Sequence, residues 1–281
     1  MREDAIQEIH AGIRTGAVIP YLGPGVLSLG AQHSIPENSL QLVARLIAQS
    51  QVPGKLRKNL TGAAQFIENF KHRMTLRRAM TAAFQQPPEP NVLHRFVAEQ
   101  TQLRMVVCAW YDTLLCTALA SRSNWMLVQG ASRADRREIW YQCFDADGAK
   151  LPVARADSAN DGALLVYAPF GSAWPEENYL VSDSDFVEVL TEIDIQTPIP
   201  PAVQQLRSGR NFLFLGCRFN TQLERQFAHQ IMKRSSDRHW AVLPEEPTKN
   251  EVHFLELYGI KRIALPLEEF VAHLSGSQQE S

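Results

Sequence analysis

The sequence predicts an α/β fold, a parallel sheet with helices on both faces and a helical lobe inserted near its front. Three observations predict it. Short apolar runs alternate with segments of helical period, the pattern of strands buried on both faces of a sheet. Several runs end at glycine, as at Leu22-Gly23 and Leu215-Gly216. Residues 37–100 hold four helical segments in a row with no strand among them. The 281 residues suit one core over 1–274, with that insertion at about 37–100 and a polar tail at 275–281. Hydrophobic residues make up 45% and charged residues 21%, enough apolar material to fill a sizeable core.

The elements follow in order. Ile6, Ile9 and Ile13 recur at spacings of three and four, so residues 3–16 read as a helix stopped by Gly16. Residues 17–22 form a buried strand that runs into Gly23-Pro24-Gly25. The lobe has helices at 40–49, 62–70, 76–84 and 92–99, punctuated by Pro53-Gly54 and Pro87-Pro88-Glu89-Pro90. Strands return at 103–109, 125–128, 139–144 and 164–168, with a helix at 113–120. Residues 145–162, rich in Asp, Gly, Ala and Ser, read as a loop. A short helix covers 186–190, and 196–201, with three prolines, is a linker. A strand at 211–216 precedes a helix at 221–233. Strands at 240–243 and 260–263 and a helix at 267–274 complete the chain.

The net charge of −2 leaves no basic excess to neutralise phosphates, so no nucleic-acid partner is predicted. The cluster Lys71, His72, Arg73, Arg77 and Arg78 reads as a solvated helix face. No apolar run follows Met1-Arg2, and no stretch of about 18 apolar residues exists. The expectation is a cytoplasmic protein with no membrane partner. The four cysteines, Cys108, Cys116, Cys143 and Cys217, form no C-x-x-C pair, so no zinc or other metal is expected. Cys108 and Cys217 have apolar surroundings, as strands in a reducing compartment do.

Chemistry belongs at the strand ends, because open parallel sheets bind ligands beyond the carboxyl ends of their strands. Gly23, Pro24 and Gly25, with Ser28 and Gly30 beyond, follow a strand and precede a helix. Glycines there let backbone approach a pyrophosphate, and helix amides supply donors. A full dinucleotide fingerprint would place glycine at 28, and no Gly-Lys-Ser/Thr follows to make a P-loop. Taken alone, the segment reads slightly better as a plain strand-to-loop turn. At Cys108-Ala109-Trp110-Tyr111-Asp112 a strand ends in a polar and aromatic cluster, where Asp112 either meets a ligand or caps the next helix. Ala168-Pro169-Phe170-Gly171-Ser172 and Gly216-Cys217-Arg218-Phe219-Asn220 are two more strand ends. Three strand-glycine turns and Asp112 in one chain point to a shared nucleotide crevice on a Rossmann-like sheet.

The order of these blocks resembles the sirtuin superfamily, most closely its bacterial branch without a zinc ribbon. The family's Gly-Ala-Gly-Val-Ser after a Val-Pro-hydrophobic strand is matched here by Val18 to Ser28. Its Gly-Ile-Pro element is matched by Ser34-Ile35-Pro36, and its Asn-Tyr-Asp by Trp110-Tyr111-Asp112. His-Gly is matched by Phe170-Gly171, and Thr-x-x-Asp-Tyr by Val181 to Phe186. Gly-Tyr-Ser-x-x-Asp is matched by Gly216-Cys217-Arg218-Phe219-Asn220, and Tyr-Gly-Ile by Tyr258-Gly259-Ile260. The resemblance spans residues 15 to 274. It implies NAD or ADP-ribose as ligand, held by Gly23, Pro24, Gly25, Ser28, Trp110, Asp112, Phe170, Gly171, Gly216, Cys217 and Tyr258.

The departures fall on the catalytic positions. The resemblance implies a histidine base where Phe170 stands and a ribose- or water-orienting asparagine where Trp110 stands. Neither aromatic takes up a proton, and neither presents an amide. Losing a general base slows a reaction by about 10²–10⁴-fold. Leu27 replaces the family's serine beside Ser28, and Pro24 removes one backbone donor. Among the other histidines, His33 is the one placed to substitute; His94 reads as packing, and His239 and His253 have no catalytic context. Three readings stay open. One is a catalytically degenerate NAD or ADP-ribose sensor or interaction module. The second is an active NAD glycohydrolase, with deacylase less fitting. The third is a structural protein, partnered by another chain or by its own copies.

Overall fold

A computed structural model describes residues 2–135, 139–157, 162–192 and 198–276. Among the described residues there are eleven strands. In chain order they are β1 (Val18–Leu22), β2 (Met105–Cys108), β3 (Trp125–Gly130), β4 (Tyr141–Phe144), β5 (Lys150–Leu151), β6 (Leu164–Ala168), β7 (Gly171–Ser172), β8 (Asn178–Tyr179), β9 (Asn211–Leu215), β10 (His239–Val242) and β11 (Ile260–Ile263). Nine of them form one sheet in the order β11-β10-β9-β1-β2-β6-β3-β4-β5, and β7 and β8 form a separate ribbon. From β11 to β3 every pairing is parallel. The expected all-parallel sheet is corrected at its far edge, where β3, β4 and β5 pair antiparallel. The stretch read as a loop at 145–162 holds β5 and a 3-10 turn at Val153–Ala156, because Gly148 at φ +81° lets the chain turn back onto β4. Residues 158–161 lie outside the described residues.

The continuous apolar runs explain the layering. On β1, Ile19 and Tyr21 enter one core while Val18 and Leu22 enter the other. On β9, Phe212 and Phe214 alternate in the same way with Leu213 and Leu215. Against the second face pack α1 (Arg2–Arg14), α5 (Val92–Glu99), α6 (Leu114–Ala118) and α11 (Leu267–Gly276). Against the first pack α7 (Asp183–Glu192), α8 (Pro201–Arg207), α9 (Gln222–Met232) and α10 (Lys249–Leu257). The remaining helices, α2 (Ser39–Gln49), α3 (Leu60–Lys71) and α4 (Arg73–Phe84), make the lobe around Leu42, Ile67 and Met80. The lobe is therefore smaller than 37–100. Leu93, Phe96 and Val97 take α5 out of it and onto the sheet.

Local chemistry sets the helix starts. Asn38, Asn59 and Asn91 each accept from backbone N–H groups of the helix that follows. Two helices were not foreseen. α8 begins at Pro201, inside the expected linker, because proline suits a first helical turn. α10 is started by a capping box of Thr248 and Glu251 after a segment with little apolar period. Residues 196–197 of that linker and 277–281 of the expected tail lie outside the described residues.

The basic cluster is not a solvated face throughout. Lys71 and His72 are exposed, but the Arg73 side chain is 14% exposed and its guanidinium reaches Asp185 at 2.9 Å, Glu68 at 3.1 Å and Asp135 at 3.1 Å. It also donates to the Tyr179 carbonyl. Asp185 is buried and accepts from the Ser132 hydroxyl and from the Val181 and Ser182 amides as well. This cluster pins the front of α4 to α7 and the β8 end.

Candidate functional site

The connection leaving β1 crosses the sheet toward β2, and those leaving β9 and β10 cross toward β11. The chain thus diverges between β1 and β9, where a parallel sheet opens a crevice. The carboxyl ends of those strands meet at Gly23 and Gly216. A Cβ on Gly23 would lie 2.6 Å from the Gly216 carbonyl, and one on Gly216, at φ +63°, 2.3 Å from the Val26 nitrogen. Glycine is needed here because two backbones touch.

That contact changes the meaning of the glycine turn. Gly23 N–H donates to Leu215 O at 2.8 Å, Gly25 N–H to Gly216 O at 2.9 Å and Val26 N–H to Gly23 O at 3.2 Å. Pro24 has no N–H. The amides expected to face a pyrophosphate are spent inside the protein. The turn continues into a 3-10 segment, Pro24–Leu29, instead of the expected longer helix, and Gly30 caps it. Ser28 is exposed, its hydroxyl donating to Gly25 O at 2.8 Å.

Beneath the turn lies a cavity of about 20 Å³, lined by Gly23, His94, Cys108, Trp110, Asp112 and Ser172 among others. That is room for about one water molecule. A dinucleotide does not fit in this conformation. The lining is nonetheless polar in three places. Asp112 Oδ1 accepts from Leu114 N–H at 3.0 Å, so it does cap α6. Burial pushes its carboxyl up from the usual range, against the opposing pull of backbone amides and of His33. His94 Nδ1 is buried with no hydrogen-bond partner, and burial, with Arg95 adding, pulls the imidazole down to about 4. Burial also pushes the Cys108 thiol well up and Cys116 up to about 12, so both stay as unreactive thiols near neutral pH.

The two aromatics at the strand ends are structural members. Trp110 is buried, and its Nε1–H donates to Pro36 O at 2.9 Å. Its ring lies 5.1 Å from Tyr111 and 6.1 Å, edge on, from Phe84. Phe170 sits 4.8 Å from Phe227, 5.4 Å from Phe186 and 6.4 Å from Tyr111. Tyr111 Oη donates to Leu180 O at 2.7 Å, closing the cluster. Gly171 starts the β7–β8 ribbon at φ +81°.

The other expected residues divide. Cys217 lies against Gly23, its Sγ 3.5 Å from Leu215 O. His33 stands near Asp112 electrostatically; its Nε2 is 3.3 Å from both Leu27 O and Glu37 Oε1, and its Nδ1 is buried without a partner. Tyr258 is a correction. It precedes Gly259 and the amino end of β11, beside the start of β10, and stacks on His229 at 4.3 Å. That is the opposite end of the sheet from the crevice, so it leaves the candidate set. His239 accepts from Phe212 N–H, and His253 is exposed. Sequence reasoning gave His94 no place on the cavity wall. Its place one turn into the Asn91-capped helix was the available signal, but an apolar helical stripe hid it.

Among the described residues, no helix is long and apolar enough to cross a membrane, and no group of three His, Cys, Asp or Glu is placed to hold a metal ion. A family model described as "SIR2-like domain" matches residues 104–263, more than half the chain. The matched stretch includes Trp110, Asp112, Phe170 and Gly216 and leaves the turn at Gly23 outside. A solved structure described as "Structural Basis for the Mechanism and Regulation of Sir2 Enzymes" shares 12% identity, covers 99% of this chain and 100% of its own, and gives a TM-score of 0.40. No curated protein matches the chain.

Proposed function

We propose, from the premise that this chain belongs to the SIR2-like domain family, that it is a catalytically silent nucleotide sensor. Its ligand class is NAD or ADP-ribose, it does not cleave NAD, and its crevice is closed in the conformation described. One observation carries the reading. Both catalytic positions implied by the family resemblance are occupied by aromatics built into packing, while a half-buried carboxylate, Asp112, stands at the same strand end as Trp110. Phe170 has no proton to exchange and Trp110 spends its only donor on Pro36.

Calorimetry with NAD and with ADP-ribose, and nicotinamide release followed on the same sample, tests this. The expected result is weak binding of either nucleotide without release. Nicotinamide release above a heat-inactivated control overturns the silent reading and makes His33 the first residue to mutate.

A second reading is favoured by the spent amides of Gly23 and Gly25. On it the crevice is permanently closed and the protein works through its surface, with another chain or its own copies. Absence of any nucleotide binding, including after crevice-opening substitutions, selects that reading.

A further inference from the structure

The crevice is closed from two sides that depend on each other. The Trp110 ring is one wall of the cavity, and its indole N–H is tied to Pro36. Pro36 belongs to residues 30–38, a stretch with neither helix nor strand that crosses in front of the strand ends. This strap is tied to α2 by Arg45, which donates to Ser34 O at 2.6 Å, and by Glu37 N–H, which donates to Gln41 Oε1 at 2.9 Å. Toward the sheet it is held by Trp110 on Pro36 and by His33 on Leu27 O, with Ile35 buried beside them. The Trp110 ring cannot swing out while the strap holds its N–H.

His33 gives the strap a recognition group. Its Nε2 faces two acceptors, Leu27 O and Glu37 Oε1, so the ring proton belongs on Nε2. Nδ1 is buried, with no hydrogen-bond partner to meet it. The cavity behind the strap holds Asp112 and His94, whose Nδ1 is likewise buried without a partner. A ribose diol offers hydroxyls that both donate and accept.

We propose that residues 30–38 are an autoinhibitory strap fastened by Trp110, and that unfastening it admits a ribose-bearing nucleotide to the cavity at His94 and Asp112. The proposal rests on the sensor reading for the class of ligand, but not for the movement. A ligand that binds only the open state is weakened by the fraction of molecules that are open.

The test compares the full chain with Trp110→Phe, which keeps a ring and loses the donor, and Trp110→Asn, which removes the ring. Hydrogen exchange reports the strap, and calorimetry with ADP-ribose reports the site. Losing one hydrogen bond is expected to speed exchange of the Glu37 amide, which is bonded to Gln41 Oε1, about fivefold in Trp110→Phe, with β1 and β2 unchanged. ADP-ribose is expected to bind tighter by a similar factor, and tighter again in Trp110→Asn. Unchanged strap exchange in a folded Trp110→Phe overturns the fastening, with or without nucleotide. Faster exchange without tighter ADP-ribose binding overturns the gate. Nicotinamide release by the unaltered protein sinks the silent reading instead and leaves the exchange result standing. If Trp110→Asn does not fold, Trp110→Phe decides alone.

Discussion

Arg73→Met should cost this protein about 3–5 kcal/mol of stability. Burial alone pulls the guanidinium's pKa down, yet the Asp185 carboxylate, by charge and hydrogen bond, with Asp135 and Glu68, leaves it raised. The side chain is 14% exposed and that of Asp185 1%. Removing one partner of a buried pair typically costs about 3–5 kcal/mol, because the other charge stays behind without its counterion. Asp185 keeps three donors after the change, the Ser132 hydroxyl and two backbone amides, which moves the loss toward the lower end. The Tyr179 carbonyl loses its donor and adds about 1 kcal/mol, while Glu68 and Asp135 together add little. For a chain of this size the melting temperature should fall by roughly 8–12 °C. Denaturant unfolding of the wild type, Arg73→Met, Asp185→Asn and the double variant measures it, with a coupling of about 2 kcal/mol expected between the two sites. The pair should also hold in high salt, since burial shields it from screening. A loss under about 1 kcal/mol, or one that vanishes in salt, would mean that Arg73 is the solvated charge its sequence neighbourhood implies.

Phe170→Ala removes a ring packed on Phe227, Phe186 and Tyr111 and should destabilise by about 2–4 kcal/mol in denaturant unfolding, with nicotinamide release staying at background. Any rise in release would contradict a purely structural Phe170. Gly216→Ala places a methyl 2.3 Å from the Val26 nitrogen at φ +63°, so a loss above about 2 kcal/mol is expected, and a wild-type melting curve would refute the backbone contact. His94 has a folded-state pKa of about 4, below its usual 6.5, so the unfolded chain binds the proton first as pH falls. Its contribution is complete above pH 6.5 and is lost between 6.5 and 4, on the order of 3 kcal/mol in all. His94→Leu should flatten that part of the stability–pH curve measured at pH 7.5 and 4.5, and an unchanged slope removes His94 as its source.

The sheet was legible because both of its faces are buried. A strand such as Leu164–Ala168 is apolar at every position, and so is β2 beside it, the pattern of a strand covered on both faces. The antiparallel edge was less legible. β5 has two residues, one exposed, and nothing in Lys150-Leu151 distinguishes a strand from a loop. α10 was illegible for a different reason. Its buried apolar residues, Phe254 and Leu255, are too few to show a helical stripe, and it is the reciprocal bonds of Thr248 and Glu251 that start it. Arg73 was misread because charge runs are judged by their neighbours in sequence, whereas its partner Asp185 is 112 residues away.

The strand ends were legible as places in the sheet, and less so as chemistry, for one physical reason. A glycine is needed where a phosphate approaches backbone and equally where another backbone does. Gly23 and Gly25 face Gly216, and their N–H groups go to Leu215 and Gly216. Pattern alone does not separate these two uses, because both need the same missing Cβ. The side chains around the turn separate them better. A crevice converted wholly into core would exchange its buried polar groups for apolar ones, since an unpaired buried acceptor costs about 1–3 kcal/mol. Here Trp110 closes the cavity, but His94 and Asp112 share its wall, and the imidazoles of His94 and of His33 on the strap each keep a nitrogen without a partner. That combination fits a site held shut over groups of its own better than one filled in, and it makes the Trp110–Pro36 hydrogen bond the contact on which the distinction turns.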